Sequence, residues 1–293
     1  MVNAWVEGAR PRTLPAAVVP VAVGTACVVG VGDMIWWRAG AAMIVALALQ
    51  VATNFANDYS DGIRGTDSDE RRVGPIRLVG SGLKSPSAVK KAALASFGVA
   101  GVAGLALAIA VGPELLAVGA ASIAAGWFYT GGPRPYGYAG LGEVFVFVFF
   151  GVVATAGSTY VQLEEVTGLS LGCSVAVGAL ATALLVVNNL RDIPGDTESG
   201  KRTLAVRIGD SKTRILYTVL MTVPFLALPL IGGLARPGSA LAFAAILIGR
   251  RAVVTVLGGA KGADLIAALA RTGQTQLVYG ALLTLGIVIS APS

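Results

Sequence analysis

The sequence predicts an all-α polytopic membrane protein, because its composition, its hydropathy and the spacing of its apolar runs agree. Of the 293 residues, 55% are hydrophobic and 13% are charged, whereas soluble proteins carry about 25% charged residues. The mean hydropathy is +0.76. Apolar runs of nearly bilayer-spanning length recur along the chain. They predict about nine transmembrane helices in one bundle around a central cavity.

Each predicted helix is an apolar run close to the roughly 20 residues that a helix needs to cross a bilayer. The runs lie near residues 14–32, 35–58, 88–112, 114–130, 139–161, 168–189, 213–233, 237–257 and 275–292. Glycine and alanine are abundant in them and would let neighbouring helices approach closely. The segment 262–271 is predicted as a connector or an interfacial helix. No linker or charged tail divides the chain, so residues 1–293 are interpreted as a single domain.

Basic residues are distributed unevenly between the two sides of the predicted bundle. If the N-terminus is cytoplasmic, all of the 22 lysine and arginine residues except Arg38 and Arg236 fall in cytoplasmic segments. The positive-inside rule therefore predicts a cytoplasmic N-terminus. The net charge of +6 follows from this rule and from attraction to anionic membrane lipid. No nucleic-acid partner is expected.

Two polar clusters lie at the ends of the second and sixth apolar runs. The first consists of Asn54, Asn57, Asp58 and Asp61, and the second of Asn188, Asp192 and Asp196. Spacings of three or four residues place the side chains of each cluster on one face of a helix. Pro194 disfavours the helical conformation at the residue before it, and predicts a kink or an end between Asp192 and Asp196. Both clusters follow even-numbered runs, which predicts that they meet at the same end of the bundle.

The carboxylates of these clusters predict a divalent metal site. Magnesium prefers oxygen ligands and is usually held by a few carboxylates together with water and substrate phosphate oxygens. The candidate ligands are Asp58, Asp61, Asp192 and Asp196, with Asp67 or Asp69 from the following loop as a further ligand. The alternative is that these acids form salt bridges with Arg64, Arg191 or loop lysines. The chain has no histidine, which excludes a histidine-based triad and histidine-ligated haem or zinc.

Basic side chains in two loops are candidates for binding an anion. The glycine-rich loop after the first cluster carries Arg77 and Lys84, and the loop after the fourth run carries Arg134 as its only basic residue. A guanidinium binds phosphate or carboxylate through two parallel hydrogen bonds. The aromatic residues around Arg134 are also typical of an interfacial belt. Together with the acidic clusters, these loops predict a metal-bound polyanion at one end of the bundle.

Three motifs give the sequence a resemblance to a known family. They are Asn57-Asp58-x-x-Asp61, Arg191-Asp192-x-x-x-Asp196 and Gly200-Lys201-Arg202-Thr203-Leu204. With the nine predicted spans, they resemble the UbiA superfamily of intramembrane aromatic prenyltransferases. Segments 9–15, 57–67 and 129–138 are similar to the menaquinone-pathway branch of that superfamily. The broader family often has an acidic residue at the place of Gly65, and Asp67 is the nearest substitute here.

The resemblance implies transfer of a polyprenyl group from polyprenyl diphosphate to 1,4-dihydroxy-2-naphthoate, with loss of CO₂ and diphosphate. It implies a prokaryotic plasma-membrane enzyme whose active site faces the cytoplasm, with Mg²⁺ held by the aspartates. Asn54, Asn57 and Asn188 would complete the metal shell or orient the diphosphate. Direct contact with the diphosphate or the acceptor carboxylate would come from Arg64, Lys84, Arg134 and Lys201. The alternatives are 4-hydroxybenzoate or homogentisate as the acceptor and, with a different chemistry, an ion-coupled transporter.

Overall fold

The computed structural model describes residues 3–65, 77–234 and 236–292, and the regular structure in these ranges is helical throughout. We number the helices in chain order. They are α1 (Ala4–Ala9), α2 (Pro15–Ala26), α3 (Trp36–Ile63), α4 (Pro86–Ala110), α5 (Glu114–Phe128), α6 (Gly142–Leu163), α7 (Gly168–Glu198), α8 (Leu204–Gly233), α9 (Pro237–Leu257) and α10 (Asp264–Ile289). A short 3₁₀ turn over Pro11–Thr13 joins α1 to α2.

The helices confirm the predicted all-α, multi-pass membrane architecture. In the described part of the chain, seven helices are long and apolar enough to cross a membrane: α3, α4 and α6 to α10. The shorter apolar helices α2 and α5 occupy the first and fourth predicted spans. Every predicted run therefore contains a helix, although α2 ends at Ala26 and continues as turns where the prediction extended to residue 32.

Side-chain caps and one glycine fix where the helices around the polar clusters begin. Ser85 accepts the backbone N–H of Ala88 at the start of α4, where Pro86 occupies the first position. Thr203 caps α8 in the same way, with its hydroxyl accepting the N–H of Val206 at 3.4 Å. One turn later α8 bends at Gly209, whose φ of 79° is accessible mainly to glycine.

Two local expectations from the sequence are wrong. The break predicted at Pro194 is absent, and α7 continues through it to Glu198. Proline removes one helical hydrogen bond, and Pro194 is exposed. The end of α7 is held by other contacts, because the Thr197 hydroxyl donates to the carbonyl of Ile193 and the N–H of Lys201 donates to the carbonyl of Asp196. Residues 264–271 are not a separate element, since α10 begins at Asp264 and runs unbroken to Ile289.

Helices α6 and α7 approach unusually closely. A Cβ atom added to Gly151 would lie 2.7 Å from the Cα of Gly178, so only glycine fits at this crossing. The middle of α6, from Phe147 to Ala156, is a π-helix, a wider winding that is often found at functional sites. This contact fixes the relative position of the two helices that carry much of the cavity wall described below.

The buried apolar residues form two clusters. The larger cluster joins α2, α7, α8, α9 and α10, with α7 at its centre. The smaller one joins α3 and α4 with Leu78 from the segment that precedes α4. A large cavity is lined by residues of α1 to α7 and α10. The ends of α3 and α7 that carry the acidic clusters both face it.

Candidate active site

One cavity of about 1090 Å³ brings the two polar clusters together. Its lining includes seven of the side chains predicted for the site: Asn54, Asn57, Asp61, Asn188, Asp192, Asp196 and Lys201. Asp58, Arg64, Lys84 and Arg134 are not part of the lining. Asp67 and Asp69 lie outside the residues that the structure describes. Segments separated by more than 100 residues thus share one polar chamber.

Two cationic side chains of the cavity, Lys201 and Arg77, meet at Asp61. It is 3% exposed, and its Oδ2 lies 3.4 Å from the Lys201 ammonium and 3.8 Å from a guanidinium nitrogen of Arg77. The hydroxyl of Tyr138 donates a hydrogen bond to Oδ1 of the same carboxylate. A buried carboxylate needs such compensation, because removing it from water without a partner is costly.

Lys201 connects the two clusters physically. Its backbone N–H donates to the carbonyl of Asp196 at 2.8 Å, which fixes the chain just beyond α7. Its ammonium reaches across to Asp61 and lies 4.8 Å from the centre of the Tyr138 ring. The hydroxyl of Thr203 is 3.5 Å from Asp196 Oδ2. The cap that starts α8 therefore also holds the end of the second cluster.

Asp192 is paired with a neighbouring cation. The guanidinium of Arg191 donates to both carboxylate oxygens at 2.8 Å, and the Asn188 amide lies 3.4 Å from one of them. The same guanidinium donates to the amide oxygen of Asn188 at 2.9 Å. This is the pairing that the salt-bridge alternative predicts. Because a carboxylate offers about four lone-pair positions, these three donors leave acceptor capacity on a side chain that lines the cavity.

Asp58 has a different environment from the one predicted for a metal ligand. It is fully buried, and its oxygens accept the backbone N–H groups of Leu78 and Val79, each at 2.9 Å. Both oxygens are thus directed at the chain that leads into α4 and away from the cavity. We interpret Asp58 as an anchor for this segment, which in turn places Arg77 beside Asp61.

Of the other three predicted cations, Arg64 and Lys84 contact protein groups and Arg134 is exposed. Arg64 donates to the carbonyls of Thr130 and Gly132. Lys84 lies 5.2 Å from the centre of the Trp5 ring. Arg134 is exposed on the loop between α5 and α6. None of these three side chains lines the cavity, and their direct contact with an anion stays a prediction.

The two asparagines of α3 bond to neighbouring segments of the chain. The Asn54 amide donates to the carbonyl of Ala9 at 2.9 Å and to the hydroxyl of Thr13 at 3.1 Å. Asn57 accepts the hydroxyl hydrogen of Thr130 at 2.8 Å. Both side chains line the cavity. The bonds of Asn54 hold the connection between α1 and α2 against α3, and the bond of Asn57 holds the loop after α5.

Among the described residues, no three acidic or cysteine side chains converge closely enough to hold a metal ion by themselves. Asp61 on α3 and Asp192 on α7 instead offer one carboxylate from each wall of the cavity. Magnesium that is bound together with phosphates typically uses only one or two protein carboxylates, and substrate oxygens and water complete its octahedron. The donor set therefore fits a magnesium ion whose shell is completed by a phosphorylated ligand.

Comparison with known proteins identifies the family. Residues 17–267 match the UbiA prenyltransferase family. The chain belongs to the UbiA prenyltransferase family. It is 50% identical over 275 residues to a 1,4-dihydroxy-2-naphthoate octaprenyltransferase of Mycobacterium tuberculosis, covering 94% of this chain and 93% of that protein. The Escherichia coli protein of the same name is 40% identical over 233 residues, covering 75% and 73% of the two chains.

Solved structures of the family share the fold. A UbiA homologue from Archaeoglobus fulgidus bound to DMAPP and Mg²⁺ aligns with a TM-score of 0.69 at 15% identity, covering 98% of this chain and 99% of that one. The same homologue bound to GPP and Mg²⁺ aligns with a TM-score of 0.68 at 14% identity, covering 98% and 100%. This UbiA family member thus has the helical arrangement of a prenyltransferase.

An aromatic wall lies next to the polar clusters, and the sequence did not predict it, because the tyrosines around Arg134 are also typical of an interfacial belt. It consists of Tyr129, Tyr136, Phe145 and Phe149, all of which line the cavity. The rings of Tyr136 and Phe145 stack with centroids 3.9 Å apart. Burial raises the pKa of Tyr136, so its hydroxyl stays protonated and donates to the carbonyl of Ala125 at 2.8 Å. Tyr136 lies in the loop before α6, and Phe145 lies in the first turn of α6.

Tyr138 is a second residue whose role the sequence did not indicate. We expect Tyr138→Phe to lower kcat by about tenfold and to raise the Mg²⁺ concentration for half-maximal rate, because a hydrogen bond to a charged group contributes about 1.5–3 kcal/mol. The measurement is initial rate against Mg²⁺ concentration. Tyr160→Phe is the matched control, since it removes a 2.6 Å phenol bond to Glu114 outside the cavity. Equal rates in both variants would contradict a role for Tyr138.

Proposed function

We propose that this protein transfers a polyprenyl group from polyprenyl diphosphate to 1,4-dihydroxy-2-naphthoate, releasing diphosphate and CO₂ and giving demethylmenaquinol. The observation that carries the proposal is a single cavity in which a polar end adjoins an aromatic wall and a long apolar lining. The curated relatives of high identity named above support the choice of acceptor.

The polar end supplies what a leaving diphosphate requires. Lys201, Arg77 and Arg191 line the cavity with positive charges on side chains that are themselves largely buried, where such charges stabilise a developing anion strongly. In the two solved structures named above, Mg²⁺ is bound together with DMAPP or GPP. We propose that Asp61, Asp192 and Asp196 hold Mg²⁺ here, which would neutralise the diphosphate as it leaves. When the diphosphate arrives, the cations that now neutralise Asp61 and Asp192 become available to it.

The apolar lining suits the prenyl chain. It includes Val45 and Leu49 of α3, Leu107 of α4 and Val153 of α6, and it extends from the polar end along the length of these helices. Each buried CH₂ group of an isoprenoid contributes about 0.8 kcal/mol relative to water. The chain would lie along this lining while its diphosphate stays among the charged side chains. The allylic carbon then lies between the two regions, beside the aromatic wall.

The reaction needs no protein nucleophile. Departure of the diphosphate leaves an allylic cation, and the electron-rich ring carbon that bears the carboxylate attacks it. Loss of CO₂ then restores aromaticity in the ring. The two cysteines, Cys27 and Cys173, are buried against each other with their sulfurs 3.9 Å apart, and neither lines the cavity.

We further propose that residues 1–293 form one domain in the plasma membrane of a prokaryotic cell, with the N-terminus and the polar end of the cavity facing the cytoplasm. The positive-inside rule supports this orientation, because only Arg38 and Arg236 would then lie on the outer side. The family match over residues 17–267 supports a single domain.

The decisive experiment incubates the purified protein with 1,4-dihydroxy-2-naphthoate, a polyprenyl diphosphate and Mg²⁺, followed by mass analysis. We expect the decarboxylated prenyl adduct and inorganic diphosphate, no product after chelation of the metal by EDTA, and recovery when Mg²⁺ is restored. Parallel reactions contain 4-hydroxybenzoate or homogentisate. Product from one of these acceptors in preference to the naphthoate would overturn the acceptor assignment. Full turnover in the presence of EDTA would overturn the metal requirement.

A further inference from the structure

A buried carboxylate next to the cavity has no part in the chemistry described so far. Glu143 is 6% exposed and lies in the first turn of α6. The N-terminal end of a helix favours negative charge, but burying a carboxylate still requires a hydrogen-bond donor. That donor is the side-chain amide nitrogen of Asn189, 3.0 Å from Glu143 Oε1.

Asn189 connects this carboxylate to the cavity. It lines the cavity wall, whereas Glu143 does not. Along α7 it lies one turn after Leu185 and one turn before Asp192, and all three line the cavity. A side-chain amide has a donor end and an acceptor end. Glu143 takes the donor end, and no described residue donates to the acceptor oxygen Oδ1.

The position of Asn189 lies beside the aromatic wall. Gly142, which precedes Glu143, is so close to the Tyr129 ring that an added Cβ would lie 3.2 Å from it and 3.4 Å from the Leu185 side chain. The N–H of Leu141 donates to the carbonyl of Tyr136 at 3.2 Å, which holds the wall against the start of α6. The unused amide oxygen and the aromatic surface therefore belong to one region of the cavity, next to the acidic cluster.

We infer that Asn189 Oδ1 accepts a hydrogen bond from a ring hydroxyl of the aromatic acceptor, and that Glu143 is a positioning residue that fixes the orientation of this amide. The inference rests on the proposed function, because it assigns the acceptor subsite of the same cavity. A ring held here lies against the aromatic wall, one helical turn from Asp192 and the diphosphate end. Specificity follows, because a buried acceptor oxygen left without its donor penalises a ligand that lacks the hydroxyl.

The test compares how tightly the acceptor and two of its analogues bind. The ligands are 1,4-dihydroxy-2-naphthoate and its two monohydroxy analogues, 1-hydroxy-2-naphthoate and 4-hydroxy-2-naphthoate, with inhibition constants measured for the analogues. We expect the wild type to bind one analogue about tenfold more weakly than the parent acceptor. In Asn189→Leu and in Glu143→Gln this discrimination falls to within twofold. In both variants the KM of the naphthoate rises about tenfold, while the KM of polyprenyl diphosphate stays within twofold.

Glu143→Gln covers the case in which Asn189→Leu fails to fold, because the change is isosteric. A glutamine offers both a donor and an acceptor, so the Asn189 amide can rotate by 180° and lose its fixed orientation. Gln276→Leu is the matched control, since Gln276 is a buried amide outside the cavity whose side-chain atoms have no hydrogen-bond partner. It should keep the wild-type discrimination. Unchanged discrimination in Glu143→Gln, or an equal rise of both KM values, would overturn the inference. A wild-type protein that does not prenylate the naphthoate would instead overturn the proposed function.

Discussion

Replacing Asp192 with asparagine is expected to lower kcat by about 10²–10³-fold, the typical effect of removing one preorganised electrostatic contact at a reacting centre. Asp192 lines the cavity on α7, and its carboxylate keeps acceptor capacity beyond the bonds from Arg191 and Asn188. Asparagine preserves the size of the side chain but removes the negative charge that a divalent cation requires. We therefore also expect a higher Mg²⁺ concentration for half-maximal rate.

The measurement is kcat against Mg²⁺ concentration with saturating naphthoate and polyprenyl diphosphate. Asp33→Asn is the matched control, because Asp33 is exposed in the turn before α3 and does not line the cavity. It should leave both the rate and the Mg²⁺ dependence unchanged. Asp61→Asn should act like Asp192→Asn, since the two carboxylates are proposed to serve the same metal. Wild-type turnover in Asp192→Asn at low Mg²⁺ would remove this residue from the metal site.

The helices were predictable because each is encoded by a local apolar run, and all nine runs contain a helix in the structure. The meeting of Asp61 with Asp192 in one cavity was predictable because both clusters end even-numbered runs. The continuation of α7 through Pro194 was not, since it depends on contacts such as the bond from the Lys201 N–H, beyond the helix, to the carbonyl of Asp196. Local propensity does not contain that information.

Roles of individual side chains were harder to predict for the same reason. Asp58 and Asp61 are three residues apart on one helix, so spacing alone treats them alike. The structure separates them because the segment leading into α4 returns over Asp58 and offers it two backbone N–H groups. Tyr138 reaches Asp61 from a loop 77 residues away. Such contacts depend on loop paths, which no periodicity in the sequence specifies.

Replacing Asp58 with alanine is expected to reduce both stability and activity, by a route different from that of Asp192. The substitution leaves the N–H groups of Leu78 and Val79 without acceptors in a buried place. Each hydrogen bond to a charged group contributes about 1.5–3 kcal/mol, so the loss should be about 3–6 kcal/mol, concentrated in this segment. Arg77 would then lose its fixed position 3.8 Å from Asp61, and kcat should fall at least about tenfold.

Three measurements distinguish this anchor from a metal ligand: thermal stability, protease cleavage between residues 77 and 85, and the Mg²⁺ dependence of the rate. Asp58→Ala should unfold at a lower temperature and be cleaved faster, while its half-maximal Mg²⁺ concentration stays at the wild-type value. Asp58→Asn should be intermediate, because an asparagine keeps one acceptor oxygen for two N–H donors. A variant with normal stability and a strongly raised Mg²⁺ requirement would return Asp58 to the metal site. The opposite behaviour of Asp58→Ala and Asp192→Asn would separate the residue that shapes the cavity from the residue that holds the ion.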